Sequence, residues 1–459
     1  YEITIGGEGG VVANSNSSNL FANIGYGVEN QEVEIIGLEN LDTELVTNMS
    51  RMFQSAKMQE LDLNSFNTNK VTTLLATFAG CTNLTKLEVN NWNTSNVTEM
   101  GTSMVDAGNV GTFQNCSKLT ELNISKWNTK NVKAMGSMFR EASSLITLDL
   151  TNFDTSNVTN MYKMFEGCSK LKDVRIQSFD THNVTNMQSM FKGCSNLEKL
   201  DIRNFNTSNV TNMQDMFRNC KSLVNLNLSN FDTSKVVNMA NMFRQSTNLS
   251  NVDVSNFNIN KVINFESMFY GCESLTNLNL DSFNESNVTN VNMKYMFYLC
   301  KNLTDLKIDK LNTSNVTNMA YMFSFCNSLK ELDVTNFDTK NVTTMAGMFQ
   351  NCINLLELDV SNFDTSNVTD MSAMFRECKK IKELDLSNFN TENVTNMWYM
   401  FAFDGGLESL NIANFNVEKV TNWTFILEDV STTIEIITNA STKKWLNEKF
   451  PNYTNIIEI

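Results

Sequence analysis

The chain of 459 residues has one proline and one histidine, and its 50 acidic residues outnumber 35 basic ones for a formal charge of -15. An acidic balance of this kind lacks the basic stripe that marks nucleic-acid binding and fits a soluble, self-repelling surface. No run of about 18 apolar residues occurs, so nothing reads as a membrane-spanning helix. From Tyr1 onward there is no charged segment followed by an apolar one, so a signal peptide is expected to be absent or already removed. No sorting motif or lipid-attachment cysteine is visible either. Zinc sites need clustered Cys and His, yet successive cysteines here are never closer than 26 residues.

What the chain has in abundance is one motif, copied. A valine recurs at 46, 71, 97, 132, 158, 184, 210, 236, 262, 288, 316, 342, 368, 394 and 420, and eleven of the fourteen intervals are 26 residues. A period of this length implies a solenoid, in which each coil touches only its neighbours. Residues 145–170 serve as a specimen. Leu148 and Leu150 alternate with Asp149 and Thr151, the pattern of a short strand with one face buried. Phe153 follows, and then the turn Asp154-Thr155-Ser156-Asn157, whose side chains bond their own backbone. Val158 re-enters the core. Met161, Met164, Phe165 and Cys168 fall at i, i+3, i+4 and i+7, one face of a short helix, with Thr159 or Asn160 placed to cap it. Met-Phe recurs twelve times, from Met52-Phe53 to Met400-Phe401. Such a methionine stripe is core, since it follows the inward helical period.

The spacing therefore predicts an α/β repeat solenoid, a stack of about fifteen strand-turn-short-helix coils with a parallel sheet along one face. Residues 1–32 read as an N-terminal cap, 33–430 as the solenoid, and 431–459 as a C-terminal cap with a strand at Ile434 to Ile437 and an amphipathic stretch from Lys443 to Phe450. Extra residues between Val97 and Val132, in Gly101 to Gly108, and two more around Val291-Asn292 read as surface loops.

The run Phe153 to Met161 with Met164-Phe165 and Leu171, matched at Phe205 to Met213, Phe337 to Met345 and Phe363 to Met371, resembles the 26-residue repeat of bacterial surface proteins in the BspA-like leucine-rich group. The resemblance spans about residues 33 to 430. It implies a leucine-rich-repeat-like fold, an extracellular or cell-surface location, an adhesive or host-contact role, and no shared catalytic residues.

Four features compete as chemistry. The ten cysteines occupy one slot, whose other occupants are Ala56, Ala142, Ser246 and Asp404. Disulfides between adjacent coils are within reach, but alanine and serine in the series favour small buried thiols. The strand face carries a column of acids, thickest at Glu331, Asp333, Glu357, Asp359, Glu383 and Asp385: either a strip for a cationic partner or calcium, or a solvated face. Tyr270, Tyr295, Tyr298, Tyr321 and Phe325, with Trp398, Tyr399 and Phe403 further on, stand at variable positions outside the filled core slots. They are either a partner-contact surface or rings packed laterally between coils. Asn-Val-Thr fits the glycosylation pattern, but the turn already demands those residues. His182 stands in an exposed turn, where other copies hold Ser or Lys, and no constellation singles out an acid, base or nucleophile.

The chain thus reads as a non-enzymatic binding or display protein of the cell surface, with a protein or host ligand and no cofactor, metal, nucleic acid or membrane insertion. The rival reading is a structural component of a virion appendage, surface layer or filament, self-associating through its ends or sides.

Overall fold

In the specimen coil the strand Thr147–Asp149 pairs in parallel with Asp173–Arg175, residue 26 steps on against residue. Leu148 points inward at 2% exposure while its flanking residues face solvent, as the alternation requires. Past Phe153 the chain turns on Asp154, whose carboxylate accepts from the Ser156 amide at 3.0 Å. Val158 is fully buried, and two residues later Asn160 bridges in parallel to Asn186 of the next coil. These details come from a computed structural model, which describes residues 2–7, 10–27, 33–103, 108, 110–284 and 288–459.

The Met-Phe side of the coil departs from the expected helix. Met164, Glu166 and Cys168 donate backbone bonds to the carbonyls of Met161, Lys163 and Phe165, three residues back, at 3.1–3.2 Å. The amides between them, of Lys163, Phe165 and Gly167, donate instead to Gln188, Met190 and Lys192 of the next coil at 2.7–3.0 Å. Lys163 (φ 56°) and Gly167 (φ 76°) are left-handed. The segment is thus a chain of tight turns whose alternate amides point along the stack. Spacing explains the choice, because packed helices need 8–10 Å between axes whereas Phe139 and Phe165 in adjacent coils lie 5.6 Å apart. The turns keep Met161, Met164, Phe165 and Cys168 inward, all at 0% exposure, so the helical period survives without the helix. Asn160, expected as a helix cap, closes a turn by accepting from the Tyr162 amide at 2.9 Å. Among the described residues the one α-helix is Ala440–Lys449.

The chain divides into two compact units, Tyr1–Lys235 and Val236–Ile459. Each is a parallel β-solenoid with eight rungs. In the first unit the rungs run from Asn16 through Asn48, Thr73, Glu99, Ala134, Asn160 and Asn186 to Asn212. In the second they run from Asn238 through Asn264, Asn292, Asn318, Thr344, Asp370 and Asn396 to Asn422. The strand face is less regular than expected. Instead of one continuous sheet it carries short parallel pairs, such as Glu60–Asp62 with Lys86–Glu88 and Asn277–Asn279 with Asp305–Lys307.

Residues 2–7 and 10–23 pack onto the coils of the first unit. Glu2–Thr4 pairs with Glu34–Ile36, Val11–Val12 with Leu41–Asp42, and Phe21 stacks on Phe53 at 5.2 Å. At the far end of the second unit, Glu383–Asp385, Ser409–Ile412, Glu435–Thr438 and Ile456–Glu458 form a parallel sheet. The helix Ala440–Lys449 is capped by Asn439, which accepts from the Thr442 amide at 2.9 Å. Of the inserted residues, Gly101 and Thr102 form antiparallel bridges to Gly111 and Gly136; residues 104–107 of that loop lie outside the described ones. In the second insertion the core slot passes to Val291, 2% exposed, while Val288 is only half-buried.

Columns of like side chains run through each unit, and those that carry a donor satisfy backbone carbonyls. Phe165 stacks on Phe139 and Phe191 at 5.6 and 5.5 Å, and Phe349 on Phe323 and Phe375 at 5.9 Å. Thr155, fully buried, donates its hydroxyl to the Asp180 carbonyl at 2.8 Å, and Thr339 repeats this toward Asp364 at 2.9 Å. The asparagine of Asn-Val-Thr donates backwards: Asn157 to Lys130 and Asn341 to Ser314, both at 2.8 Å. All ten cysteines are free and buried. Their thiols reach the phenylalanine carbonyl of the preceding coil, as in Cys168 to Phe139 at 3.1 Å. Burial pushes the thiols of Cys81, Cys300 and Cys352 up to about 12.

Two outcomes follow. Thiol titration at pH 8 without reductant should find almost no reactive groups in the native protein and close to ten after denaturation; two or fewer after denaturation would contradict free thiols. Thr155→Val should cost about 0.5–1.5 kcal/mol in urea denaturation, because it removes a part-buried hydrogen bond to the Asp180 carbonyl, and Thr155→Ser should recover most of it.

Candidate functional site

The tight turns on the Met-Phe side present two left-handed positions per coil. In the first unit these hold Asn19, Asn23, Arg51, Ser55, Ala76, Asn115, Ser137, Glu141, Lys163, Ser189, Asp215 and Asn219, with glycine at Gly80, Gly167 and Gly193. None is aromatic. In the second unit six are: Tyr295, Tyr321, Phe325, Tyr399, Phe403 and Phe425, with φ between 55° and 65°. A Cβ-bearing residue in this conformation costs about 1 kcal/mol, and bulky residues there mark places where the side chain matters.

The structure brings the first five candidate aromatics together. Tyr270 stacks on Tyr298 at 4.8 Å and Tyr295 on Tyr321 at 5.1 Å. Tyr298 meets Tyr295 edge-on at 5.3 Å and Phe325 at 5.5 Å. Lateral packing between coils and a surface position therefore coexist: the rings are half-buried and packed against one another, some stacked and some edge-on. Burial raises the hydroxyl pKa of Tyr295, Tyr298 and Tyr321, with neighbouring tyrosines adding to it at the first two and Asp370 at the third. Among the described residues the hydroxyls of these three and of Tyr270 have no protein partner. The Arg244 guanidinium covers the outer face of Tyr270 at 4.2 Å. On the other side the Tyr321 ring lies over Gly347, where a Cβ would come within 2.3 Å of it.

Trp398, Tyr399 and Phe403 form a second, separate cluster. Tyr399 meets Trp398 edge-on at 4.5 Å and stacks near Phe403 at 6.0 Å. Arg376 lies over both Tyr399 and Phe403, at 4.9 and 5.2 Å. Sequence reasoning missed Phe425, which stacks on Tyr399 at 4.9 Å and is 45% exposed. Its signal was available: Phe425 stands 26 residues after Tyr399. Arg244 and Arg376 were also missed, since an arginine among helix-side positions carries no mark of the ring it will cover.

The same positions in the first unit form an ionic network. Glu166 is met by Arg140 at 2.8 Å, Lys192 at 3.0 Å and Lys163 at 3.6 Å. Burial works against its ionisation, yet Lys192, Lys163 and Arg140 outweigh it and hold the carboxyl below its usual range. One backbone scaffold thus displays salt bridges in one unit and tyrosine in the other.

The acidic strand face is exposed throughout. Glu331, Asp333, Glu357, Asp359, Glu383 and Asp385 line a shallow depression open to solvent. Three of them are engaged by their own turns: Asp333 accepts from the Thr335 amide at 3.0 Å, Asp359 from Ser361 at 3.0 Å and Asp385 from Ser387 at 2.9 Å. Bonds from Thr335 and Ser361 hold the Asp333 and Asp359 carboxyls below the usual range. Among the described residues no group of three or more His, Cys, Asp or Glu side chains is arranged to hold a metal ion. His182 is exposed, with Nδ1 2.7 Å from Asp180.

No curated protein matches the chain. Among solved structures, a leucine-rich repeat protein from Eubacterium ventriosum is 14% identical with a TM-score of 0.38, over 72% of this chain and 84% of that one. A leucine-rich cell surface protein from Faecalibacterium prausnitzii is 16% identical with a TM-score of 0.34, over 97% and 89%. The TLR13 chain of a complex with ssRNA13 is 17% identical with a TM-score of 0.27, over 94% and 70%. Five overlapping stretches, residues 16–111, 109–225, 190–303, 279–357 and 352–458, match the family described as Mycoplasma protein of unknown function, DUF285, and the chain belongs to this family of 26-residue leucine-rich repeats.

Proposed function

We propose that this solenoid is a non-enzymatic, extracellular or cell-surface binding protein of adhesin-like type, and that its protein-contact face is the tyrosine cluster of Tyr270, Tyr295, Tyr298, Tyr321 and Phe325. The observation that carries this reading is the use of strained left-handed positions for aromatic rings. Lateral ring stacking contributes about 0.5–1.5 kcal/mol, which roughly offsets the left-handed strain of about 1 kcal/mol. Stability alone therefore gives aromatic residues no advantage over the serine, asparagine and glycine found there in other coils. What they add is a half-buried patch of rings and hydroxyls, the amphipathic contact chemistry of rigid protein-binding surfaces. The second cluster, Trp398, Tyr399, Phe403 and Phe425, offers a smaller contact of the same kind, and the acidic strand face one for cationic groups. The rival, a structural component that polymerises through its ends or sides, has no comparable local feature in its favour.

Serine already stands at the slots of Tyr298 and Tyr321 in other coils, at Ser324 and Ser267, so the paired change Tyr298→Ser and Tyr321→Ser should fold normally. Its melting temperature should lie within about 2 °C of the parent, a shift worth roughly 1 kcal/mol or less. Binding of the purified protein to intact host cells or matrix-protein surfaces should fall at least tenfold, about 1.4 kcal/mol. Unchanged binding would remove the tyrosine face from consideration. Light scattering on both proteins should show a monomer; a polymer in both would support the structural role instead.

A further inference from the structure

The cysteine column has one occupant of a different kind. In the second unit Cys272, Cys300, Cys326, Cys352 and Cys378 donate their thiol hydrogens to the carbonyls of Phe243, Phe269, Phe297, Phe323 and Phe349 at 3.1–3.3 Å. The next position in the column is Asp404, 3% exposed, with its Oδ1 lacking any partner. The 29-residue step that relates Cys378 to Phe349 leads from Asp404 to the Phe375 carbonyl. A carboxylate cannot donate to a carbonyl. A carboxylic acid can.

We propose that Asp404 is held in the folded chain as a neutral carboxylic acid whose O–H takes the place of the cysteine S–H, and that its ionisation loosens the last coils of the unit, residues 397–430. This is a property of folding and holds whether or not the aromatic face binds a protein.

The surroundings offer little compensation for a negative charge, and burial outweighs it. Cys378 lies beneath Asp404 in the preceding coil, flanked by Glu377 and Lys379. Lys379 is drawn off to Glu377 at 3.5 Å, and Arg376 lies over the Tyr399 and Phe403 rings. Above it the slot passes to Val430, next to Glu428 and Asp429. Beyond these the cap contributes Tyr453, whose hydroxyl is committed to the Leu427 and Val430 carbonyls at 2.9 and 3.0 Å. Burial accordingly pushes the Asp404 carboxyl well above the usual carboxylate range. The Cys378 amide opposes this most, Glu377 adds to it, and Lys379 opposes it least.

The sign follows from linkage. The folded-state value lies above the unfolded one of about 3.9, so the stabilisation is fully present below about pH 4 and is lost as pH rises toward the folded-state value. Within that window each pH unit lowers the folding constant tenfold. Phe403 adjoins Asp404, and Trp398, Tyr399 and Phe425 lie on the same two coils, so these rings lose order first.

The test is hydrogen exchange of peptides covering 397–430, corrected for intrinsic rates, from pH 4.5 to 8 on the full chain and on Asp404→Cys and Asp404→Asn. The parent should lose protection steeply as pH rises, while both variants stay flat. At pH 7.5 Asp404→Cys should be protected at least tenfold more than the parent. Parallel pH profiles in parent and Asp404→Cys, or a parent better protected than Asp404→Cys at pH 7.5, would overturn the proposal. If Asp404→Cys does not fold, Asp404→Ser, which copies the serine that the same column already holds at Ser246, is read by the same criteria.

Discussion

The axial hydrogen bond governs this architecture. On the Met-Phe side of each coil, alternate amides donate to the carbonyls of the coil that follows, and this fixes the separation of coils at little more than one strand spacing. Phenylalanine rings 5.5–5.9 Å apart are the result. Everything on the cross-section must then fit that repeat. An α-helix does not, and a chain of left-handed and right-handed turns does. The two left-handed positions per coil are therefore imposed by the stack. They also explain why so many of these positions are glycine, serine or asparagine, which reach that conformation at least cost.

The same spacing decides the chemistry of the buried columns. Carbonyls left over by the turns range from buried to exposed, and a buried one left unsatisfied is expensive. Threonine, asparagine and cysteine each answer one such carbonyl in nearly every coil, forward through Thr155 and backward through Asn157 and Cys168. A thiol thus serves as a weak donor in a dry slot, which accounts for an even-looking series of cysteines without redox or metal chemistry. Asp404 is the position where this requirement and the ionisation of a carboxyl conflict.

Much of the fold was legible in the sequence because repetition supplies many samples of each position. The period, the inward set of Leu148, Val158, Met161, Met164, Phe165 and Cys168, and the free thiols all follow from comparing copies. The turn segment did not, because i, i+3, i+4, i+7 describes equally well a helix and a run of turns with a left-handed residue every fourth place. The coil separation distinguishes them, and a one-dimensional pattern does not state that separation. The insertion near Val291 failed for a related reason: two valines three apart both satisfy the pattern, and only the rung at Asn292 selects one. Of the site, the tyrosines were legible as departures from filled core slots. Their stacking, and the arginines that cover Tyr270 and Tyr399, depend on contacts between coils.

Because each coil leans only on its neighbours, a change at an outward position strains one turn and leaves the rest of the stack intact. Aromatic rings at Tyr295, Tyr321 and Phe325 can therefore accumulate coil by coil, each one's left-handed strain met by stacking on the ring next to it. A lone tyrosine in such a position bears the strain without that return, which is why the rings occur in contiguous groups and why the gap at Gly347 and Ala373 separates two clusters instead of one diluted stripe. Grouping in this way makes a surface whose extent is set in steps of one coil. A solenoid of this kind can vary its outward surface by substitution at two slots per repeat while its core columns, and the axial bonds that define them, remain unchanged.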